Sequence, residues 1–233
     1  MPTSLREYTS PLLVESNDSE RLTDLFVKRD GEAPEHIAFQ VPAGTDAAGA
    51  TVWSDVTTRE FFDSARALAR HFIAAGVRPG DAISIMGPTR YEWVLADVAA
   101  LWAGAVVVPI YDTSAPSQVE AIVEDAGVTR AIAGTAQQAE SLAHALGGAD
   151  RVWTMEEVSG YECVSALAAR EPETPVSEAD LERARTSRTL EDVATIVYTS
   201  GTTSDPKGVQ LTHRNLWVLS LIHISEPTRP RLI

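Results

Sequence analysis

The chain has 233 residues, 44% of them hydrophobic and 22% charged, with a formal net charge of −14. That length suits one large or two small domains with a sizeable core. The acidic balance argues against nucleic acid or anionic lipid as a partner, since phosphate surfaces recruit stripes of Lys and Arg.

Cys163 is the only cysteine, so neither an intrachain disulfide nor a thiolate metal cluster can form, as suits a reducing, cytoplasmic setting. Met1 to Tyr8 lacks the basic-then-apolar pattern of a signal peptide. The longest apolar run, Val94 to Ile110, contains Asp97, Gly104 and Pro109. A central Asp is costly in a bilayer, so the run reads as core and not as a transmembrane segment.

In chain order, His36 to Val41 and Thr51 to Val56 read as two strands of a hairpin at one sheet edge. Thr57 to Ala75 carries Phe61, Phe62, Ala65, Leu68, Ala69 and Phe72 at helical spacing, and Gly76 stops it. Ala82 to Met86 is a short apolar strand. Thr89 is placed to cap a helix from Tyr91 to Ala103. Ala105 to Tyr111 is β-branched without alternation, as expected of a strand covered on both faces. Pro116 opens a helix that runs to Gly127. Arg130 to Ala133 is strand, Ala136 to Leu146 helix, Arg151 to Thr154 strand, and Glu157 to Ala169 a further helix.

Strands alternating with helices of this length imply an α/β fold, a doubly wound parallel sheet with right-handed crossovers. Glu171-Pro-Glu-Thr-Pro175 reads as a linker. Ser177 and Asp180 suggest a capping box for a helix over Ala179 to Ser187. Thr195 to Tyr198 is the next strand. The expected division is residues 1–175 as one α/β subdomain and 176–218 as the start of a second.

That second part contains the most specific stretch, Tyr198-Thr-Ser-Gly-Thr-Thr-Ser-Asp-Pro-Lys-Gly-Val209. Gly201 and Gly208 permit backbone angles that bring N–H groups inward together. Thr199, Ser200, Thr202, Thr203 and Ser204 supply hydroxyls, and Lys207 a point charge. This is the chemistry of a phosphate cradle. A P-loop is not met: it needs Gly-Lys-Ser/Thr, and here Pro206 precedes Lys207 and Gly208 follows it. A solvent-exposed Ser/Thr/Gly turn has the same composition, and only the full order of residues separates the two readings.

That order resembles the signature of the AMP-forming acyl- and aryl-CoA synthetases, and Leu211-Thr-His-Arg-Asn215 extends the likeness. Ser204 departs, standing where the family has Gly. Thr89-Arg-Tyr-Glu-Trp-Val-Leu-Ala-Asp97 and Gly104-Ala-Val-Val-Val-Pro-Ile-Tyr-Asp-Thr-Ser114 resemble bacterial long-chain fatty acyl-CoA synthetases, actinobacterial ones in particular. The resemblance implies an incomplete N-terminal domain of a ligase that converts fatty acid and ATP to an acyl-adenylate. CoA then displaces AMP, and Mg2+ assists.

By the same resemblance, Thr199, Ser200, Gly201, Thr202, Thr203 and Lys207 are the nucleotide-binding positions. Lys207 is the catalytic one, neutralising charge on departing pyrophosphate. No metal ligand is assigned. Tyr198 would pack at the strand end, and His213 would lie near the site's mouth or pack and cap. Arg90, Tyr91 and Trp93 would pack on a helix in preference to touching ligand. Peripheral membrane contact stays open, and a non-catalytic nucleotide-binding or interaction module is the competing reading. A medium-chain or aryl acid is the competing substrate.

Leu219 to Ile233 breaks the pattern. Its residues to Arg229 are those spelled by a transposase adapter used for sequencing libraries, so 219–233 reads as a non-native tail. On that reading the family's later magnesium, ribose and lysine sites lie beyond the chain. The strand 195–198 would then expose a free edge, and ATP binding would be millimolar or weaker, with no turnover.

Overall fold

The computed structural model describes residues 20–199 and 207–225. Helix α1 (Leu22–Glu32) precedes an antiparallel pair, β1 (Ile37–Thr45) and β2 (Thr51–Thr57). These two strands form a sheet of their own and not the edge of the main one. Their residues are largely exposed, and the ribbon is pinned at its base, where the Phe39 ring lies 4.8 Å from Phe61 and 5.5 Å from Tyr91.

Helix α2 (Thr58–Ala74) follows directly, and its start is a capping box. The Thr57 hydroxyl accepts from the Glu60 N–H, while the Glu60 carboxylate accepts from the Thr57 N–H at 2.8 Å. Every apolar residue expected on its inner stripe is buried, from Phe61 to Phe72. Gly76, at φ +95°, takes the left-handed turn that ends it.

Three βα units come next: β3 (Ala82–Met86) with α3 (Tyr91–Trp102), β4 (Val106–Ile110) with α4 (Pro116–Asp125), and β5 (Val128–Ala133) with α5 (Ala136–Leu146). The cap position of α3 is Arg90, not Thr89, and makes no side-chain cap bond. The Arg90 guanidinium instead donates to Glu92 and to Glu156. After β6 (Val152–Thr154) the expected helix over 157–169 is replaced by β7 (Glu162–Cys163) and a short α6 (Val164–Ala168). Gly160, at φ +87°, turns the chain there, and Glu162 and Cys163 pair with Trp153 and Thr154.

Helix α7 (Glu178–Thr186) is capped by Ser177, whose hydroxyl accepts from the Asp180 N–H. Strand β8 (Val193–Thr199), strand β9 (Lys207–Thr212) and helix α8 (His213–Ser225) complete the described chain. The helix crosses position 219, where the sequence pattern changes.

The main sheet has the order β7-β6-β5-β3-β4-β8-β9. Every neighbouring pair is parallel except β8–β9. Strand β8 joins β4, and the Thr195 hydroxyl donates to the Val107 carbonyl at 2.8 Å. One sheet therefore runs across position 175. The free edge expected of residues 195–198 is absent, because β9 covers it.

Alternation of side chains builds two cores. Ile83, Ile85, Val107, Ile132 and Trp153 pack with α2 and α3 on one face. Met86, Val108, Val128 and Tyr198 pack with α4 and α5 on the other. Each large side chain so buried contributes about 1.5–3 kcal/mol. Arg185 of α7 fastens α1: its buried guanidinium donates to Asp24, Thr23 and Glu182.

Candidate functional site

Strands β3 and β4 are neighbours, yet their following helices leave to opposite faces of the sheet. The carboxyl ends of such a pair open a crevice, the usual ligand position in open α/β sheets. A cleft of about 440 Å³ lies there, lined by Gly87, Pro88, Thr89, Trp93, Pro109, Ile110, Tyr111, Asp112, Val197 and Tyr198.

Its walls are fixed by close packing. A Cβ on Gly87 would sit 3.0 Å from the Gly134 Cα, so the turns after β3 and β5 touch backbone to backbone. Gln138 joins a third turn to them. Its Oε1 accepts from the Gly134 and Thr135 N–H groups at 3.1 Å, and its Nε2 donates to the Asp112 carbonyl at 3.0 Å.

Strand β8, which leads to the predicted phosphate loop, gives Val197 and Tyr198 to this cleft. Thr199 ends β8, Lys207 begins β9, and the two are paired directly across the ribbon. Both are exposed. Lys207 has no ion pair among the described residues. Ser200, Gly201, Thr202, Thr203 and Ser204 lie outside the described residues.

Below the loop, Tyr198 is buried and its hydroxyl donates to Asp125 Oδ2 at 2.5 Å. Burial, and then the Asp125 carboxylate, push the phenol well above its usual pKa. Gly208 lies over this ring: a Cβ there would come within 2.8 Å of Ile196 Cγ2 and 3.0 Å of Tyr198 Cζ. The glycine after Lys207 is thus a packing requirement.

The other sequence candidates separate. Arg90 is held by two carboxylates, and Tyr91 packs against Phe39 and Phe61. Trp93 packs on the core and also lines the cleft. His213 is 3% exposed and is not part of the cleft wall. Its backbone N–H donates to the Asp192 carbonyl at 2.9 Å, its Nε2 has no hydrogen-bond partner among the described residues, and burial lowers its pKa to about 4. That is a packing histidine. Asp97, one helical turn beyond Trp93, is pushed up to about 7 by burial. Sequence reasoning missed Tyr111, Asp112 and Asp125, which carry no local signal. Strand order brings Tyr111 and Asp112 to the cleft with Val197 and Tyr198, and Asp125 to the Tyr198 hydroxyl. No group of His, Cys, Asp and Glu able to hold a metal occurs among the described residues.

A doubly wound α/β domain with a Ser/Thr-rich, lysine-bearing hairpin at its switch-point crevice is the N-terminal architecture of adenylate-forming enzymes. The chain belongs to the AMP-binding enzyme family, whose pattern it matches over residues 28–230. It is 32% identical over 212 residues to the long-chain-fatty-acid–CoA ligase FadD15 of Mycobacterium bovis, covering 91% of this chain and 34% of that protein. To surfactin synthase subunit 2 of Bacillus subtilis it is 29% identical over 219 residues, covering 91% of this chain and 6% of that protein. Among solved structures, apo MatB from Rhodopseudomonas palustris matches with a TM-score of 0.66 at 24% identity, covering 87% of this chain and 36% of that one. The chain spans about a third of the length of the mycobacterial relatives.

Proposed function

We propose that the whole protein is a cytoplasmic AMP-forming ligase that activates a long-chain fatty acid with ATP and transfers the acyl group to CoA. The observation that carries this reading is the pairing of Thr199 with Lys207 across the ribbon, on the strand whose Val197 and Tyr198 line the switch-point cleft. FadD15, the relative named above, supports the acid class.

In this reading Thr199, Ser200, Gly201, Thr202, Thr203 and Lys207 hold the β- and γ-phosphates of ATP. The Lys207 ammonium stabilises the charge that develops on pyrophosphate as the acid carboxylate attacks the α-phosphorus. Mg2+ supplies further charge neutralisation when bound. Trp93, Ile110 and Val197 give the cleft an apolar wall.

Acid-dependent exchange of radiolabelled pyrophosphate into ATP by the whole protein tests the reading. Palmitate is expected to drive exchange well above octanoate or benzoate. Exchange driven by benzoate alone contradicts the acid class, and exchange with none of the three contradicts the adenylation.

A further inference from the structure

We propose that Asp125 and Tyr198 are positioning residues that anchor the lysine-bearing hairpin to α4. The inference rests on the adenylation reading for its catalytic consequence, and on geometry alone for the anchor.

Asp125 is exposed and sits in the last turn of α4, which holds Glu124 and Asp125 but no basic residue. A carboxylate there faces the negative end of the helix dipole, which is locally unfavourable. A residue that is locally unfavourable calls for a distant partner, and the partner is the Tyr198 hydroxyl, 73 positions away in sequence. Tyr198 is the last buried residue before the loop. Its ring is sandwiched: the α4–α5 core lies on one side and Gly208, with no side chain, lies across the ribbon. The bond therefore fixes β8 at the point where Thr199 begins the loop and Lys207 ends it. By strand alternation Thr199 and Lys207 lie on the opposite face of the ribbon from Tyr198 and Gly208. A rotation of the Tyr198 pair would therefore move the lysine.

Two readouts on the whole protein test this. The first is amide hydrogen exchange without nucleotide, which does not depend on the reaction. Tyr198→Phe keeps the ring and removes only the hydroxyl. It is expected to speed exchange of the Lys207–Thr212 amides about tenfold while leaving α2 unchanged. Unchanged rates in that strand overturn the anchor. The second is palmitate-dependent pyrophosphate exchange. Tyr198→Phe and Asp125→Ala are each expected to lower kcat about tenfold with little change in the KM for palmitate. The double variant should be no worse than either single one, and Asp125→Asn, which still accepts a hydrogen bond, should recover most of the rate. Additive losses, or a fall in Tm with kcat intact, overturn the positioning role. A wild-type protein that exchanges no pyrophosphate contradicts the adenylation reading and the positioning role together. The amide readout still decides whether the anchor exists.

Discussion

Buried His213 and half-buried Asp97 give the stability of this chain opposing pH dependences. His213 has a folded pKa lowered from 6.5 to about 4 by burial. Its contribution is present above pH 6.5 and is lost as pH falls toward 4, because the unfolded chain takes up a proton that the folded one refuses. Asp97 has a folded pKa raised from 3.8 to about 7, again by burial. Its contribution is complete below pH 3.8 and is lost as pH rises through 7. A tenfold change in proton affinity is worth about 1.4 kcal/mol. Asp97→Asn is therefore expected to stabilise the protein by about 1–3 kcal/mol at pH 8 and to change little at pH 4. Urea unfolding at the two pH values checks this, and equal stabilities at pH 8 would contradict it. Gly208 makes a steric prediction. Gly208→Ala forces a Cβ to within 2.8 Å of Ile196 Cγ2, so a loss of about 1–3 kcal/mol is expected by thermal denaturation. The motif placed that glycine correctly but assigned it to loop freedom. Its reason is contact with Tyr198 and Ile196 across the ribbon, which no single sequence displays.

At the level of elements, legibility followed local signals. Helix α2 was readable because six apolar residues share one stripe and Gly76 follows it, and the structure adds a Thr57–Glu60 cap. Helix α5 matched its expected bounds, Ala136 to Leu146, for a similar reason: Thr135 caps it and Gly147 closes it in the left-handed conformation. Helix α1 had no such marks. Its Arg21 cap position and internal charges, Asp24, Lys28, Arg29 and Asp30, hide the apolar side formed by Leu22, Leu25 and Phe26. What holds it is distant, namely Arg185 on α7. Strand β9 was hidden differently: its residues were read as motif, although Val209 and Leu211 alternate with polar neighbours as a strand requires. The Arg185 clamp can be measured. Arg185→Ala leaves the Asp24 and Glu182 carboxylates without their shared cation, and a loss of about 3 kcal/mol is expected. Hydrogen exchange in α1 should rise with it. Unchanged protection of Leu22–Glu32 would show that α1 is held by its apolar contacts alone.

For the whole molecule, helix–strand alternation implied a doubly wound sheet, and strands β3 to β9 form one. Alternation did not reveal the strand order, because that depends on which crossovers turn back over β3. The order matters most for function. It places β4 between β3 and β8, so that β8 gives Val197 and Tyr198 to the wall of the switch-point cleft. Thr199 and Lys207 were legible as a pair from the signature. Trp93 and Tyr111 came to the cleft, and Asp125 to Tyr198, through topology.

The central claim is that Lys207, paired with Thr199 across the ribbon, acts on the departing pyrophosphate of ATP. Palmitate-dependent pyrophosphate exchange by the Lys207→Ala whole protein tests it most directly. Lys207 is exposed and makes no ion pair among the described residues, so its removal should leave Tm unchanged. The account expects exchange to fall about 10²–10³-fold. Exchange at the wild-type rate, with the same fold stability, would contradict it.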